Sequence, residues 1–241
     1  MPLTDFHSHC LPQMDDGAVD TAESLEMLRQ TLAQGIETVA ATSHFYAGQE
    51  SVSDFLARRE AARQQLTGAI AATPELSGRI RLLMGAEVLL REGIHHLDLR
   101  PLCLEGTDCI LLEMPFSPRP SWLYETIESI VFDQHLRVML AHVDRYIPWY
   151  STEDIAELIE LPDTIVQLNG GSLQNRHDVK FVGRWLPPVN ALVLGSDMHH
   201  AKDRKQNLEA AVDGIRKSRR HREWLELIQY TGSPLLKATK A

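Results

Sequence analysis

The chain of 241 residues has only three cysteines and no apolar run approaching the length of a membrane span. Cys10, Cys103 and Cys109 are odd in number and lack CxxC spacing, which argues against a disulfide framework and favours small buried side chains. A span needs roughly 18 consecutive apolar residues, so we expect no membrane insertion. The first residues, MPLTD, lack the basic and apolar segments of a secretion signal, and we therefore expect a cytoplasmic protein.

Positive charge is also scarce. The chain carries 24 Lys and Arg against 33 Asp and Glu, a formal net charge of -9. The one evident basic run, KSRRHR at 217–222, is typical of a solvated helix face. This balance disfavours a nucleic acid as the main partner. Bound divalent ions would invert the local field, however, and an anionic substrate would then be attracted.

Three familiar phosphatase and phosphate-binding signatures are missing. A cysteine-based phosphatase needs an arginine six residues after the thiol, but Asp16, Cys109 and Pro115 stand at that distance from Cys10, Cys103 and Cys109. The sequence also has no DxDxT for an aspartyl-phosphate mechanism and no GxxxxGK[ST] phosphate loop. A phosphatase built on this chain would have to use other groups.

Strand and helix patterns alternate along the whole chain. Short apolar or β-branched runs predict seven strands, at 3–7, 37–41, 80–88, 109–113, 137–141, 164–167 and 191–194. Helices are predicted from a capping box at Asp20–Glu23 with Gly35 as the stop, and over 52–72, 122–134, 152–160 and 203–219. Without repeats or a linker, we expect a single domain over 1–241. The alternation predicts an α/β fold with a parallel sheet, and seven such units favour a barrel.

Potential metal ligands follow six of the seven strands. They are His7 and His9; His44; Glu87; Glu113; His142, with Asp144 and Arg145 beside it; and Asp197 with His199. In a parallel barrel the carboxyl ends of the strands share one rim, so these side chains should converge. Ionised Glu87 and Glu113 inside apolar strands are costly unless a cation or a base neutralises them. His142 taken alone is also compatible with a buried core histidine. The joint pattern predicts a metal site.

Six motifs in this order resemble the polymerase and histidinol phosphatase (PHP) superfamily: DFHSH, TSH, GAE, LLEMP, LAHVDRY and GSDMH. DDG at 15–17 and LAHVDRY resemble specifically its bacterial capsule-type, CpsB/YwqE-like branch of metal-dependent protein tyrosine phosphatases. The resemblance extends from about Asp5 to Arg204. It implies a distorted, TIM-like (β/α)7 barrel of the PHP type that holds three metal ions, usually manganese.

The resemblance also implies a ligand set. One ion would be held by His7, His9, Glu87 and Asp197; a second by Glu87, Glu113 and His142; and the third by Asp16, His44 and His199. Asp16 is the aspartate of DDG that matches the family, and Asp15 is its neighbour. Arg145 and Arg204 match positions that hold phosphate. Asp144 departs from the more usual glutamate, and Phe45-Tyr46 replaces residues that are basic in some relatives.

Imidazole and carboxylate ligands suit manganese, iron or zinc, and the residue types do not choose among them. Two bridged ions can hold a hydroxide and aim it at phosphorus, while arginine binds phosphate oxygens in pairs. A phenol with pKa near 10 departs more readily than an alkyl alcohol, which suits phosphotyrosine. Asp144 or His200 would then either protonate the leaving group or orient a ligand.

We therefore predict a metal-dependent tyrosine phosphatase whose partner is a tyrosine-phosphorylated protein, a bacterial kinase of capsular or exopolysaccharide export. Aromatic residues near the expected cleft could pack the tyrosyl ring or be ordinary core and loop residues: Phe116, Trp122, Tyr146, Trp149 and Tyr150. The main alternative is a PHP phosphatase of a small phosphomonoester such as histidinol phosphate. A phosphodiesterase is disfavoured by the acidic balance, and a non-catalytic metal-binding scaffold by the complete ligand set with both arginines.

Overall fold

A computed structural model describes residues 3–237 of the chain. Its strands are β1 (Leu3–Ser8), β2 (Ile36–Ala41), β3 (His44–Phe45), β4 (Arg81–Met84), β5 (Glu87–Leu89), β6 (Cys109–Glu113), β7 (Arg137–Leu140), β8 (Ile165–Asn169) and β9 (Leu192–Gly195). Its α-helices are α1 (Thr21–Ala33), α2 (Val52–Ala71), α3 (Leu123–Phe132), α4 (Thr152–Ile159), α5 (Arg176–Trp185), α6 (Leu208–Lys217) and α7 (Trp224–Lys237). Helices and parallel strands alternate, as the sequence predicts.

The strands form two parallel sheets that together make a distorted barrel. The first sheet has the order β1-β2-β4 and the second β3-β5-β6-β7-β8-β9. Ser8 at the end of β1 pairs with Met198 just beyond β9, which joins the sheets on one side. On the other side, the Glu87 N–H donates to the Thr42 carbonyl at 3.1 Å. Because β2 continues into β3 and β4 into β5, seven chain segments build the wall, as expected for a (β/α)7 barrel.

The predicted strand over 80–88 is wrong in one respect, because it is two strands in different sheets. The chain breaks at Gly85-Ala86, between β4 and β5. A Cβ at Gly85 would lie 2.8 Å from Leu104 and 3.2 Å from the Thr42 methyl group, so a side chain there would be crowded. The break shifts Glu87 into register with His44 on β3. Glu87 is thereby placed beside His44, another predicted ligand.

Helix ends follow local hydrogen bonding. Asp20 caps α1 by accepting the Glu23 N–H at 2.8 Å, while the Glu23 carboxylate accepts from Val19 rather than from Asp20 itself. The predicted helix over 203–219 begins only at Leu208. Its first residues instead form a loop in which Gln206 donates to the Asp5 carboxylate at 2.8 Å. Helices α5 and α7 were not predicted, and no helix of residues 3–237 is long and apolar enough to cross a bilayer.

The barrel interior is filled with apolar side chains near the amino ends of the strands. We call this cluster the inner core; it comprises Phe6, Ala40, Leu83, Leu104, Cys109, Leu111, Met139, Ala141, Ile165, Val193 and Leu235. A larger apolar cluster lies between the strands and the surrounding helices. All three cysteines are buried and free, as predicted.

Candidate metal centre

The predicted ligands lie together at the carboxyl ends of the strands. Their donor atoms form four overlapping groups in which the atoms of each group lie within 4.8 Å of one another. Within residues 3–237, these groups contain the nine predicted ligands and no other residue: His7, His9, Asp16, His44, Glu87, Glu113, His142, Asp197 and His199. Parallel strands share one rim, and so residues up to 192 positions apart in the sequence meet in one cluster.

The first predicted group surrounds the Glu87 carboxylate. Its Oε2 lies 3.1 Å from His7 Nε2 and 3.2 Å from His9 Nε2. Asp197 Oδ1 is 3.7 Å from His7 Nε2 and 3.6 Å from His9 Nε2. The two imidazoles therefore point their Nε2 atoms at the same point, between two carboxylates. All four side chains are buried, so the charges are shielded from water.

The second group shares Glu87 with the first. His142 Nε2 lies 2.8 Å from Glu87 Oε1 and 3.5 Å from Glu113 Oε1. The two oxygens of Glu87 thus face different histidines, which is the arrangement required of a carboxylate that bridges two cations. Glu113 is 6% exposed and lines the open cleft, as Asp197 of the first group does.

The third group lies at the edge of the cluster. Asp16 Oδ1 is 3.5 Å from His199 Nε2 and 3.7 Å from His44 Nε2. The Asp16 side chain is 67% exposed, whereas His199 is buried. The imidazole of His9 stacks on that of His199 with ring centroids 3.8 Å apart. This group therefore connects the buried cluster to the outer surface.

Orphaned polar atoms show that these residues fit a cation. Glu87 Oε2, His44 Nδ1 and His199 Nε2 are buried and lack a well-aligned hydrogen bond among residues 3–237, although Glu87 Oε2 lies 3.1–3.2 Å from imidazole nitrogens of His7, His9 and His44. A buried polar atom that lacks a partner costs about 1–3 kcal/mol. Bound divalent cations would satisfy all three atoms at once, because lone pairs on nitrogen and oxygen are their usual ligands.

Neighbouring groups hold the Nδ1 atoms of His7 and His9. His9 Nδ1 lies 2.7 Å from Asp15 Oδ2, and His7 Nδ1 lies 3.0 Å from Gln167 Oε1. The same Gln167 oxygen accepts the His142 backbone N–H at 2.6 Å. Such contacts fix ring orientation and leave the Nε2 lone pair of His7 and His9 directed at the cluster. Sequence reasoning missed Gln167 as a site residue. A buried amide inside the apolar run TIVQLN was the available signal.

Charge in the cluster shifts several pKa values in the absence of cations. Burial lowers the pKa of His9, but hydrogen bonds with Asp15 and Glu87 outweigh it and raise the value to about 10. Burial also lowers the pKa of His142, but hydrogen bonds with Glu113 and Glu87 outweigh it and raise the value to about 9. For His199, burial and the charge of His9 lower the pKa to about 3. Carboxylates thus hold protons on two histidines that cations would have to displace.

Three of the six non-glycine residues with left-handed backbones among residues 3–237 lie at this rim. His142, Asp197 and Arg204 have left-handed backbones with φ of 30°, 52° and 50°. Non-glycine residues adopt this region at a cost, and such residues persist where the surrounding structure imposes them. Gly195 is required for a different reason, because a Cβ there would lie 2.5 Å from that of His7. The chain is held in unfavourable conformations where it presents the polar cluster.

Arg145 and Arg204 lie over the cluster. Their guanidinium groups contact the same atom, Asp197 Oδ2, at 3.1 and 2.7 Å. Both side chains remain about two-fifths exposed, at 39% and 43%. The arginines therefore line the entrance with donors that an incoming anion can reach. Their side chains come from the loops after β7 and β9, and Arg204 is positioned by its left-handed backbone.

The two residues considered for proton transfer are placed differently. Asp144 is buried and its Oδ1 accepts the Asn169 backbone N–H at 2.7 Å; it is absent from the residues that line the cleft. Burial raises its pKa despite hydrogen bonds from Ser172 and Asn169. His200 Nδ1 lies 3.3 Å from the Glu23 carboxylate of α1. Both side chains are directed at neighbouring loops and helices.

A cleft of about 560 Å³ opens onto the cluster. Both polar and apolar residues line it: Asp16, His44, Tyr46, Glu87, Leu89, Leu90, Glu113, Pro115, Phe116, Ser117, Arg145, Asp197 and Arg204. A larger groove of about 950 Å³ lies on the outer surface between α5 and α7, and none of the predicted ligands lines it. The smaller cleft is the candidate site because the unsatisfied donors and both arginines face it.

Known proteins resemble the chain over most of its length. Residues 3–236 match the family model described as capsular polysaccharide synthesis, CpsB/CapC. The tyrosine-protein phosphatase YwqE of Bacillus subtilis strain 168 is 30% identical over 219 residues, covering 87% of this chain and 82% of YwqE. The tyrosine-protein phosphatase CpsB of Streptococcus pneumoniae is 24% identical over 232 residues, covering 89% and 90%.

A solved structure has the same fold. It comes from crystal structures of YwqE and CpsB, described as unique metal-dependent tyrosine phosphatases, and aligns with a TM-score of 0.78 at 25% identity. The alignment covers 95% of this chain and 94% of that one. The branch suggested by the DDG and LAHVDRY motifs is therefore confirmed. The chain belongs to the CpsB/CapC family of capsular polysaccharide synthesis proteins.

Proposed function

We propose that this protein is a metal-dependent phosphatase that hydrolyses phosphotyrosine in proteins. The observation that carries the proposal is the cluster of buried, unpartnered donor atoms directly beneath two arginines at the floor of an open cleft. An anionic ester needs cations and arginines at its phosphoryl end, and this cleft offers positions for both. The relatives named as tyrosine-protein phosphatases support the choice of substrate.

We assign the cations to the three predicted groups. The first would lie among His7, His9, Glu87 and Asp197; the second among Glu87, Glu113 and His142; and the third among Asp16, His44 and His199. Manganese is the first choice, with iron and zinc as alternatives of the same ligand chemistry. Divalent cations bound there would supply a nucleophile from water at neutral pH and neutralise charge on the phosphoryl group.

The chain's own groups would bind and orient the ester. Arg145 and Arg204 leave Asp197 in part to contact the phosphoryl oxygens, which can accept paired hydrogen bonds from a guanidinium, whereas both groups share the single atom Asp197 Oδ2 in this structure. A tyrosine leaves as a phenolate with pKa near 10, so strong general-acid help is not required. Asp144 then acts as a positioning residue: it fixes the backbone of Asn169, whose amide donates to Asp197 at 3.0 Å.

The partner we propose is a tyrosine-phosphorylated kinase of polysaccharide export, and the compartment is the cytoplasm. The family description, capsular polysaccharide synthesis, supports the process, and three buried free thiols suit a reducing compartment. A small phosphomonoester such as histidinol phosphate is the second candidate. It also needs cations and arginines, but the named tyrosine phosphatases among the relatives favour a phosphotyrosyl protein.

A side-by-side assay separates the two substrates. The manganese-loaded protein should hydrolyse a phosphotyrosine peptide and an aryl phosphate faster than histidinol phosphate, as measured by released phosphate. Equal or greater turnover of histidinol phosphate would contradict the substrate assignment. Absence of turnover for every ester in the presence of manganese, iron and zinc would refute a phosphatase altogether.

Replacement of Arg145 tests the binding of the phosphoryl group. Arg145→Lys keeps the charge but loses the paired donors, and we expect kcat/KM to fall roughly 100-fold, as for other donors to a developing anion. Arg29→Lys is the matched control, because Arg29 is 40% exposed against 39% for Arg145 and pairs with Glu75 at 2.8 Å on the surface. Equal rates for both variants would remove Arg145 from the site.

A further inference from the structure

The cleft is also lined by apolar residues that the cluster of predicted ligands does not explain. They are Tyr46, Leu89, Leu90, Pro115 and Phe116, which we call the apolar wall. The predicted metal ligands and the two arginines that share the cleft account for the phosphoryl group alone. The apolar wall therefore indicates the chemical nature of the leaving group of the phosphate ester.

The apolar wall is continuous because of the strand order. Tyr46 follows β3, Leu89 ends β5 and Leu90 comes next, and Phe116 follows β6. The three strands are neighbours in the sheet, in the order β3-β5-β6. Adjacent parallel strands lie about 4.8 Å apart, so three strand ends span roughly the width of an aromatic ring with its contacts. The wall is thus formed at the same rim that presents the metal ligands.

Two aromatic rings belong to the apolar wall, and each stacks on a histidine of the cluster. Tyr46 stacks on His44 with centroids 5.1 Å apart and an interplanar angle of 21°. Phe116 stacks on His142 with centroids 5.6 Å apart and an angle of 22°. Each ring is therefore fixed directly beside a proposed metal ligand. A ring attached to a bound phosphoryl group would lie within contact distance of this wall.

The loop that presents Phe116 is held rigidly. The Tyr146 hydroxyl donates to the Met114 carbonyl at 2.9 Å and accepts the Met114 N–H at 2.8 Å. The Tyr150 hydroxyl donates to the Pro115 carbonyl at 3.2 Å. Both tyrosines are buried, so neither offers a ring to a substrate. Of the aromatics singled out in the sequence, Phe116 alone appears among the described residues that line the cleft.

Phe116 remains exposed even though it is apolar. Its side chain is 38% exposed at the cleft, and the Arg145 guanidinium lies 4.8 Å from its ring centroid. The same guanidinium is 3.1 Å from Asp197 in the metal cluster. Arg145 thus connects the phosphoryl end of the cleft to the apolar wall. Exposed apolar surface at a binding cleft is typical of a surface that a ligand covers.

We propose that the apolar wall binds the aromatic ring of the phosphate ester, with Tyr46 and Phe116 as the residues that select aryl over alkyl substrates. The inference rests on the proposed phosphatase function and specifies how the cleft recognises its substrate. A ring stacked on Tyr46 or Phe116 contributes binding free energy beyond that of the area it buries, because aromatic pairs attract each other in defined geometries. An alkyl or polar ester would leave the wall in contact with water.

Two unreactive phosphonates test the proposal by binding alone. Benzylphosphonate and ethylphosphonate share the P–CH2–C unit and differ in having a ring or a methyl group. Calorimetry on the manganese-loaded protein gives the Kd of each for the wild type, Tyr46→Leu and Phe116→Leu. Phe132→Leu is the control, because Phe132 is 51% exposed at the end of α3 and lies away from the cleft.

We expect both cleft variants to weaken benzylphosphonate about tenfold and ethylphosphonate less than about twofold, since only the ring contact is lost. An unchanged ratio of the two Kd values in either variant overturns the proposal. For Phe116→Leu, equal weakening of both ligands would mean that Phe116 acts through Arg145; Tyr46 has no such contact. Failure of the proposed function is seen separately in the hydrolysis assays: the wild type would then release phosphate from no ester, or would hydrolyse histidinol phosphate at least as fast as the phosphotyrosine peptide.

Discussion

The interior of the barrel differs sharply between the two ends of the same strands. On β6, Cys109 and Leu111 belong to the apolar inner core, while Glu113, at the next position on that face, belongs to the metal cluster. On β9 and just beyond it, Val193 and Asp197 show the same change. Alternate residues of a strand share a face, so one face carries both functions. The position of a residue along its strand, and not the strand to which it belongs, therefore determines whether it packs in the inner core or belongs to the candidate site.

The two ends also differ in how their groups are satisfied. Inner-core side chains are close-packed and fully buried, and they contribute to stability without any ligand. At the rim, buried donors lack partners within the part of the chain that the structure describes, and carboxylates crowd together. Such groups reduce stability until a cation neutralises them. The inner core thus supports a rim whose polar groups residues 3–237 do not fully satisfy.

The largest expected effect comes from Glu87, which contacts histidines of both inner groups. Glu87→Gln keeps the shape but removes the charge, and we expect kcat/KM to fall roughly 1000-fold or more as bound metal is lost. The fold should persist by circular dichroism. Glu75→Gln is the control, because Glu75 pairs with Arg29 on the surface. Near-wild-type activity of Glu87→Gln would contradict the ligand assignment.

The inner core should show the opposite response. Leu111→Ala removes a side chain that is 1% exposed, and a loss of about 3 kcal/mol in the free energy of unfolding is expected from the cavity it leaves. Urea denaturation measures this loss, while elemental analysis should find the metal content unchanged. Leu97→Ala, at a 39% exposed position, should lose much less. If Leu111→Ala instead lost metal without losing stability, the separation of the two ends would be wrong.

Asp15 tests whether residues behind the ligands matter. Its carboxylate contacts His9 Nδ1 at 2.7 Å and accepts the His44 N–H at 2.8 Å. Asp15→Asn should weaken metal binding about 10- to 100-fold, as expected for a partner that orients a ligand. A competition titration with a chelator gives the affinity, and exposed Asp133→Asn serves as the control. Identical affinities would show that the imidazole of His9 needs no such support.

Stability should respond to pH in opposite directions with and without metal. In the cation-free protein the pKa values of His142 and His9 rise to about 9 and about 10. Their contribution to stability is therefore complete below the unfolded value of about 6.5 and is lost as pH rises through the folded values. Metal binding releases these protons, so metal-induced stabilisation should increase over the same range. Thermal melts in chelator and in manganese, taken between pH 6.5 and 9, measure both trends. A common trend would contradict this account.

The sequence predicted most of the fold because strands and helices here have strong local signals. Strand β6 was predicted with its observed bounds, and α2 to within one residue. The break between β4 and β5 could not be predicted, since it depends on Leu104 packing against Gly85 from elsewhere in the chain. The start of α6 was misplaced for a similar reason: Gln206 contacts Asp5 instead of continuing the helix.

The site was predicted as a set of residues but not as a geometry. Alternation and motif order predicted nine ligands, which the structure brings together; that they bind metal, and which ion each binds, remains a prediction. The supporting contacts of Asp15, Gln167 and Asn169 involve residues far apart in sequence, and only the closed barrel brings them together. In the sequence, Tyr46 was noted only because some relatives have basic residues at this place. Its place in the apolar wall follows from the order of β3, β5 and β6 in the sheet.

The central claim is that the rim cluster gathers divalent cations on which phosphoester hydrolysis depends. The most direct test is to measure bound metal by elemental analysis and hydrolysis of a phosphotyrosine peptide on the same sample, before chelation, after it and after addition of manganese. The account predicts that metal and activity are lost together and return together. Full activity in a sample stripped of metal would contradict it.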